Sequence, residues 1–220
     1  MYLVIGDVLN QNEVKDACAV LDAAQFVDGR ATAGWHARAV KNNLQAGRGD
    51  NGVDTLRATL AKRIEANALF RMFARPSRLT PLILSRYEPG MAYGSHVDDA
   101  MIGGIRTDVS FTLFLDDPET YDGGALIIET TAGEEEVKLA PGQLVAYPST
   151  TLHRVDPVTR GTRRVAVGWA RSQVRHADQR EILFDLDTTV EELRHADVPR
   201  QTLDRVMKTR SNLLRRWMES

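Results

Sequence analysis

The sequence is poor in the features that usually assign a protein at a glance. It has one cysteine, Cys18, in 220 residues. That rules out an intrachain disulfide and fits a reducing compartment. Cys18 falls on an apolar helical stripe, as a buried thiol would. No stretch approaches the roughly 18 apolar residues of a membrane span. The opening MYLVIGDVLN lacks the basic region, long apolar run and small-residue cleavage site of a signal peptide. A cytoplasmic protein is expected. Neither sign of charge predominates: the formal net charge is −2, which offers no electrostatic footing for nucleic acid or an anionic membrane. The locally basic RSNLLRRW has helical spacing and reads as a solvated face. Repeats and low-complexity tracts are also lacking.

What is there is an ordinary globular composition, 43% hydrophobic and 26% charged, long enough to hide about 70% of the unfolded surface. Val14, Ala17, Cys18 and Leu21 recur at i, i+3, i+4, i+7, one helical face, and Asn10 with Glu13 forms a capping-box pattern. Residues 35–50 are polar and without clear period. Leu56, Leu60, Ile64 and Ala68 mark a second helix, which RPSR at residues 75–78 breaks. From Leu79 the texture changes to short apolar or alternating runs: LTPLILSRY, DVSFTLFLDD, GALIIETT, EEVKLAPGQLVAYP, LHRVDPV and RRVAVGWARS. Turn sequences separate them. This spacing argues for a sandwich or barrel of short strands, mainly β with flanking helices around a jelly-roll core. Three regions are expected: an N-terminal helical region, 1–78, packing on the core; the core itself, 79–175; and a C-terminal helical extension, 176–220. In the extension, Thr188 and Glu191 stand at capping-box spacing. Pro199 suits the first turn of a last helix, whose stripe of Leu203, Val206, Met207, Leu213, Leu214 and Trp217 would dock on the barrel or on a second subunit.

The sequence has five histidines, so their placement carries weight. In YGSHVDDA, His96 and Asp98 are two apart. In extended chain they project to one face while Val97 turns away. A metal site needs a third ligand. His36 lies in the aperiodic stretch, and His176 and His195 lie in charged segments. His153 follows the turn YPSTT at the head of a β run. Two histidines and a carboxylate with open positions form the facial triad of non-haem Fe(II) oxygenases. Singly, each residue also has an ordinary explanation, His96 as a structural or surface histidine and His153 as a core one. Arg163 and Arg164 then point to opposite faces of a strand, with Val165 and Val167 on the side of Arg163. If that side faces inward, the guanidinium needs an anion, and a dicarboxylate would serve through a bidentate fork. If it faces outward, Arg163 is solvated.

Taken together, RYEPGMAYGSHVDDA, DVSFTLFLDDPETYDGGALIIE and PGQLVAYPSTTLHRVDPVTRGTRRVAVGW resemble the Fe(II)- and 2-oxoglutarate-dependent PKHD-type hydroxylases, bacterial relatives of prolyl and lysyl hydroxylases. The likeness is close over residues 79–175. It is looser over VKNNLQ, residues 40–45, and over the helical tail. It implies a double-stranded β-helix, a jelly-roll variant, in which His96, Asp98 and His153 hold the iron. Arg163 would bind the distal carboxylate of 2-oxoglutarate, and Tyr87 sits where such enzymes often help seat that cosubstrate. Many relatives carry serine or threonine two residues after the arginine; here Val165 stands there. Asp99 would support the site or face solvent. The implied reaction hydroxylates a small molecule or a peptide side chain with O2, decarboxylates 2-oxoglutarate to succinate and CO2, and uses L-ascorbate to restore the iron. The Gly-bearing MIGGIRTD, residues 101–108, is either a lid or a connecting loop. Without the resemblance, a jelly-roll zinc or manganese hydrolase or isomerase, or a binding scaffold, would remain open.

Overall fold

The computed structural model describes residues 1–219. Two antiparallel sheets face each other. The larger runs in the spatial order Leu3–Ile5, Leu144–Pro148, Val109–Phe114, Arg163–Ser172, Ile83–Tyr87, Leu44–Ala46, Phe26–Asp28, with Pro76–Leu79 paired to the far end of Arg163–Ser172. The smaller runs Gly133–Val137, Leu126–Thr130, His153–Val155, Ala92–His96, Lys41–Asn42. Apart from the hairpin of Leu126–Thr130 and Gly133–Val137, neighbours in each sheet are well separated in sequence, and this interleaving makes the jelly roll.

The strand Val109–Phe114 shows why the layers stack as they do. All six of its residues are buried. Val109, Phe111 and Leu113 point outward into an apolar cluster with Leu21, Leu60, Ile64 and Phe70 of the helices, where Phe70 meets Phe111 edge to face at 5.2 Å. Ser110 and Thr112 point the other way and line the cavity between the sheets. A second cluster, with Phe114, Ile128, Val145, Val155 and Val165, fills the rest of that space.

Helix Gln11–Ala23 opens with the expected capping box, Glu13 N–H to Asn10 Oδ1 at 3.0 Å and Asn10 N–H to Glu13 Oε2 at 2.9 Å. The second helix is two, Asn51–Ala66 and Ala68–Ala74, because the Asn67 side chain caps a new start. It ends at Arg75, whose φ of 45° is left-handed. The first 78 residues also supply strands Leu3–Ile5, Phe26–Asp28, Lys41–Asn42 and Leu44–Ala46 to both sheets. At two or three residues each, these are too short for alternation to reveal.

Thr188 does not start a helix. It lies inside Ala177–His195, where its hydroxyl donates to the Phe184 carbonyl at 3.0 Å. The last helix, Arg200–Trp217, lies against its predecessor with its apolar stripe half-buried. Asp187 clamps the pair, taking both Arg75 and Arg210. Residues 101–108 form a small hairpin, Met101–Ile102 against Ile105–Arg106, with Ile102 at the cavity. No helix among the described residues is long and apolar enough to cross a membrane.

Candidate metal centre and cosubstrate cavity

His96 ends the strand Ala92–His96, and His153 begins the neighbouring strand. Their Cα atoms are direct register partners, so the pleat turns both imidazoles to the same side, and the rings stand 4.3 Å apart. Asp98, two residues past His96, completes the set. The three offer ligand atoms within 4.8 Å of one another, and each histidine Nε2 is 3.8 Å from a carboxylate oxygen of Asp98. Two coordination bonds of roughly 2.0–2.2 Å meeting at a right angle span about 3 Å, so the three groups would close by under about 1 Å on an ion.

The ring tautomers are set from behind. His96 Nδ1–H donates to the Gly94 carbonyl at 2.8 Å and His153 Nδ1–H to the Thr151 carbonyl at 3.0 Å, which leaves both Nε2 lone pairs facing Asp98. Burial, then the adjacent His153, pushes the His96 imidazole down to about 4, so it stays neutral. Both Nε2 atoms and the Asp98 carboxylate therefore converge on one point. Such an arrangement is repulsive until a cation occupies its centre, and the donor set fits ferrous iron. Ser110 supports it, its hydroxyl donating to Asp98 Oδ2 at 2.5 Å. Tyr93 stacks on His96 at 3.7 Å, and Tyr147 meets His153 edge-on at 5.1 Å.

The triad opens on a narrow cavity of about 70 Å³ between the two sheets. At its wall lies Arg163, only 1% exposed. It faces inward as one of the two readings required, with no carboxylate partner among the described residues, and its Nε is unbonded. The guanidinium rests between the rings of Tyr87 at 5.1 Å and Phe114 at 5.3 Å. Gly124, at φ 66°, admits it: a Cβ there would stand 3.0 Å from Arg163 Cδ. A buried cation without an anion is costly, and the distal carboxylate of 2-oxoglutarate fits the vacancy in its hydrogen bonding. Tyr87 is the register partner of Arg163 and lines the cavity with it. Burial raises its phenol, so the hydroxyl stays protonated. Val165 is buried on the same wall and offers no hydrogen bond. Asp99 is exposed at the cavity.

Comparison with known proteins now bears on this geometry. Residues 82–171 match the model of the 2OG-Fe(II) oxygenase superfamily, and residues 178–219 match that of the PKHD-type hydroxylase C-terminal domain. A PKHD-type hydroxylase of Maricaulis maris is 54% identical over 219 residues, with both chains covered in full. The chain belongs to the PKHD-type hydroxylases. A second such hydroxylase, from Acaryochloris marina, is 48% identical over 222 residues, again with full coverage of both. Among solved structures, a prolyl-4-hydroxylase of Pseudomonas putida superposes with a TM-score of 0.56 at 22% identity, over 78% of this chain and 92% of that one. A 2OG-Fe(II) oxygenase family protein of Burkholderia pseudomallei gives 0.59 at 16% identity, over 80% and 86%. At such identities the likeness is one of fold, and the fold is the jelly roll described above. This PKHD-type hydroxylase is thus a 2-oxoglutarate-dependent dioxygenase that uses Fe(II).

Lys41, Asn43, Gln45, Ser110, Tyr147 and Trp169 also line this hydroxylase's cavity, although no motif in the sequence marks them. Lys41, Asn43 and Gln45 stand two apart in VKNNLQ. That period was the available signal, hidden because the strands it joins are so short.

Proposed function

We propose that His96, Asp98 and His153 bind the ferrous ion and that Arg163, helped by the Tyr87 hydroxyl, binds the distal carboxylate of 2-oxoglutarate. With iron and cosubstrate bound, the centre supplies the oxidising chemistry: O2 converts 2-oxoglutarate to succinate and CO2, and one oxygen atom enters a C–H bond of the substrate. The chain's own residues orient and shelter. His96, Asp98 and His153 would hold the ion from one side, leaving it accessible from the cavity. The histidine Nδ1–H bonds to Gly94 and Thr151 hold the Nε2 atoms on target without further reorganisation. Arg163 fixes one end of the cosubstrate, so that its 2-oxo and C1 carboxylate oxygens are presented at the triad. The aromatic and apolar wall keeps water from the reacting centre. L-ascorbate would return oxidised iron to the ferrous state. The substrate is a small molecule or a peptide side chain.

The observation that carries this reading is the buried, anion-free Arg163 in the same cavity as the triad. A zinc or manganese hydrolase would leave that cation without a task. The test is anaerobic addition of ferrous iron and 2-oxoglutarate, which should produce a visible metal-to-ligand charge-transfer band. His153→Ala should abolish the band, and Arg163→Ala should require far more 2-oxoglutarate to form it. A wild-type protein that stays colourless at saturation overturns the reading.

A further inference from the structure

Resting on that reading, we infer that Lys41, aided by Gln45, forms a second anion subsite, and that the hydroxylated substrate presents a carboxylate to it.

Lys41–Asn42 is the edge strand of the smaller sheet, beyond the His96 strand, and Leu44–Ala46 joins the larger sheet beside Ile83–Tyr87. The chain from Lys41 to Ala46 therefore crosses from one sheet to the other. Along it the side chains alternate. Lys41, Asn43 and Gln45 are 8%, 3% and 4% exposed and line the cavity, while Asn42 faces out and bonds the Gly90 carbonyl. Asn43 turns to Tyr87 and packs on Gly29, where a Cβ would collide with its Oδ1; that Oδ1 has no hydrogen-bond partner, but it is an acceptor and does not call for an anion.

The other two are not accounted for. Lys41 Nζ donates to Thr32 Oγ1 at 3.2 Å and lies 4.9 Å above the Tyr93 ring, and it forms no ion pair among the described residues. The single Thr32 hydroxyl proton has two acceptors in reach, the Gly29 carbonyl at 3.0 Å and Gln45 Oε1 at 2.9 Å, and the buried Gln45 Nε2 has no partner. The Lys41 ammonium, with one hydroxyl acceptor, and the Gln45 N–H₂, with none, thus face one cavity with donors to spare. Burial of such groups without acceptors is unfavourable.

Charge makes the case specific. Burial pushes the Lys41 ammonium down to about 8, and the carboxylate that acts against this is Asp98, whose charge would go to the metal once iron is bound. Ferrous iron, Asp98, the 2-oxoglutarate dianion and Arg163 together come to zero formal charge. Lys41 and Asp99 are the charges left at the cavity; Asp99 is exposed, whereas Lys41 is a buried cation with no buried anion beside it. It also stands apart from the cosubstrate's anchor: Arg163 is in the middle of the larger sheet, whereas Lys41 is at the edge of the smaller one, on the far side of His96 from His153. A carboxylate there would complete both Lys41 and Gln45 while the rest of the substrate faces the iron.

The experiment uses the anaerobic Fe(II)–2-oxoglutarate complex of the full chain. A panel of monocarboxylic acids and their matched primary amides is titrated in, and each shift of the charge-transfer band is followed. The subsite predicts that the best-bound acids outbind their amides by about tenfold or more, the worth of a charge-assisted contact. Lys41→Met should erase that preference and Lys41→Arg should keep much of it, with 2-oxoglutarate affinity unchanged in both. The outward-facing variant Asn42→Ala should behave as wild type. Amides that bind as well as acids overturn the inference, and so does a Lys41→Met protein that loses 2-oxoglutarate and probe acid together. A wild-type complex with no band would instead sink the iron and cosubstrate assignment, and this subsite with it.

Discussion

The strand Arg163–Ser172 sends two adjacent arginines into two different regions, and their surroundings could hardly differ more. Arg164 faces the helical layer. There Asp116 takes its Nε at 3.1 Å and its Nη2 at 2.7 Å, Asp22 takes Nη1 at 2.5 Å, and the Cys18 carbonyl adds a contact at 3.3 Å. Arg163 faces the cavity, is more deeply buried, and has no carboxylate at all. Both are cations drawn out of bulk water, Arg163 almost wholly and Arg164 in large part. One is complete within the fold, and the other is completed only from outside. A saturated buried charge belongs to the structure; an unsatisfied one belongs to a ligand.

Substitutions can break or sharpen that contrast. The largest effect is expected where the cavity region loses its ion. Asp98→Ala or His153→Ala should remove detectable ferrous iron binding and all turnover, with the thermal transition of the metal-free protein little changed or raised, since the converging lone pairs are relieved. Iron binding by equilibrium dialysis and a melting curve read both halves of this. Next comes Arg163→Leu, which should weaken 2-oxoglutarate by about a hundredfold, as removal of one partner of a buried charge pair does, with no loss of stability in the ligand-free protein. Arg164→Leu should show the reverse pattern. Cosubstrate affinity should hold, while stability falls by about 2 kcal/mol because the partly buried Asp116 keeps only the backbone N–H of residue 164, measured as a lower urea midpoint. If Arg163→Leu destabilises the apo-protein as much as Arg164→Leu does, the distinction between the two regions fails.

The same contrast explains what could be read from the sequence. His96 and Asp98 were visible because the pleat puts residues two apart on one face. Arg163 was visible because a charge stood in an otherwise apolar alternation. The capping box at Asn10 and the core positions Val14, Leu21, Leu60 and Ile64 followed from helical period alone. The cavity's opposite wall was not legible. Lys41, Asn43 and Gln45 belong to strands of two and three residues, held by pairing with distant partners instead of by any pattern of their own. Ser110 and Thr112 reverse the usual sense of alternation, since here the polar face is the inner one, turned to a cavity. Thr188 misled for a related reason: its hydroxyl satisfies itself on the preceding turn, and so needs no helix start.

The smallest expected effect tests how the metal's carboxylate is held. Ser110 sits 2.5 Å from Asp98 Oδ2 and 2.8 Å from the Ser149 hydroxyl. A hydroxyl has one proton, and Asp98 can only accept, so the Ser110 proton goes to Asp98 and Ser149 supplies its own to Ser110. That chain leaves Asp98 Oδ1 free and fixes which way the carboxylate turns. Ser110→Ala removes the donor without touching a ligand, and iron affinity should drop by about tenfold, the usual scale for a lost outer partner. Ser149→Ala should cost less, because Ser110 can still donate. Equal effects of the two substitutions would mean that the pair acts through packing and not through the proton on Asp98. The test also bears on the comparison above, because Asp98, like Arg163, finds only part of its partner set inside the protein.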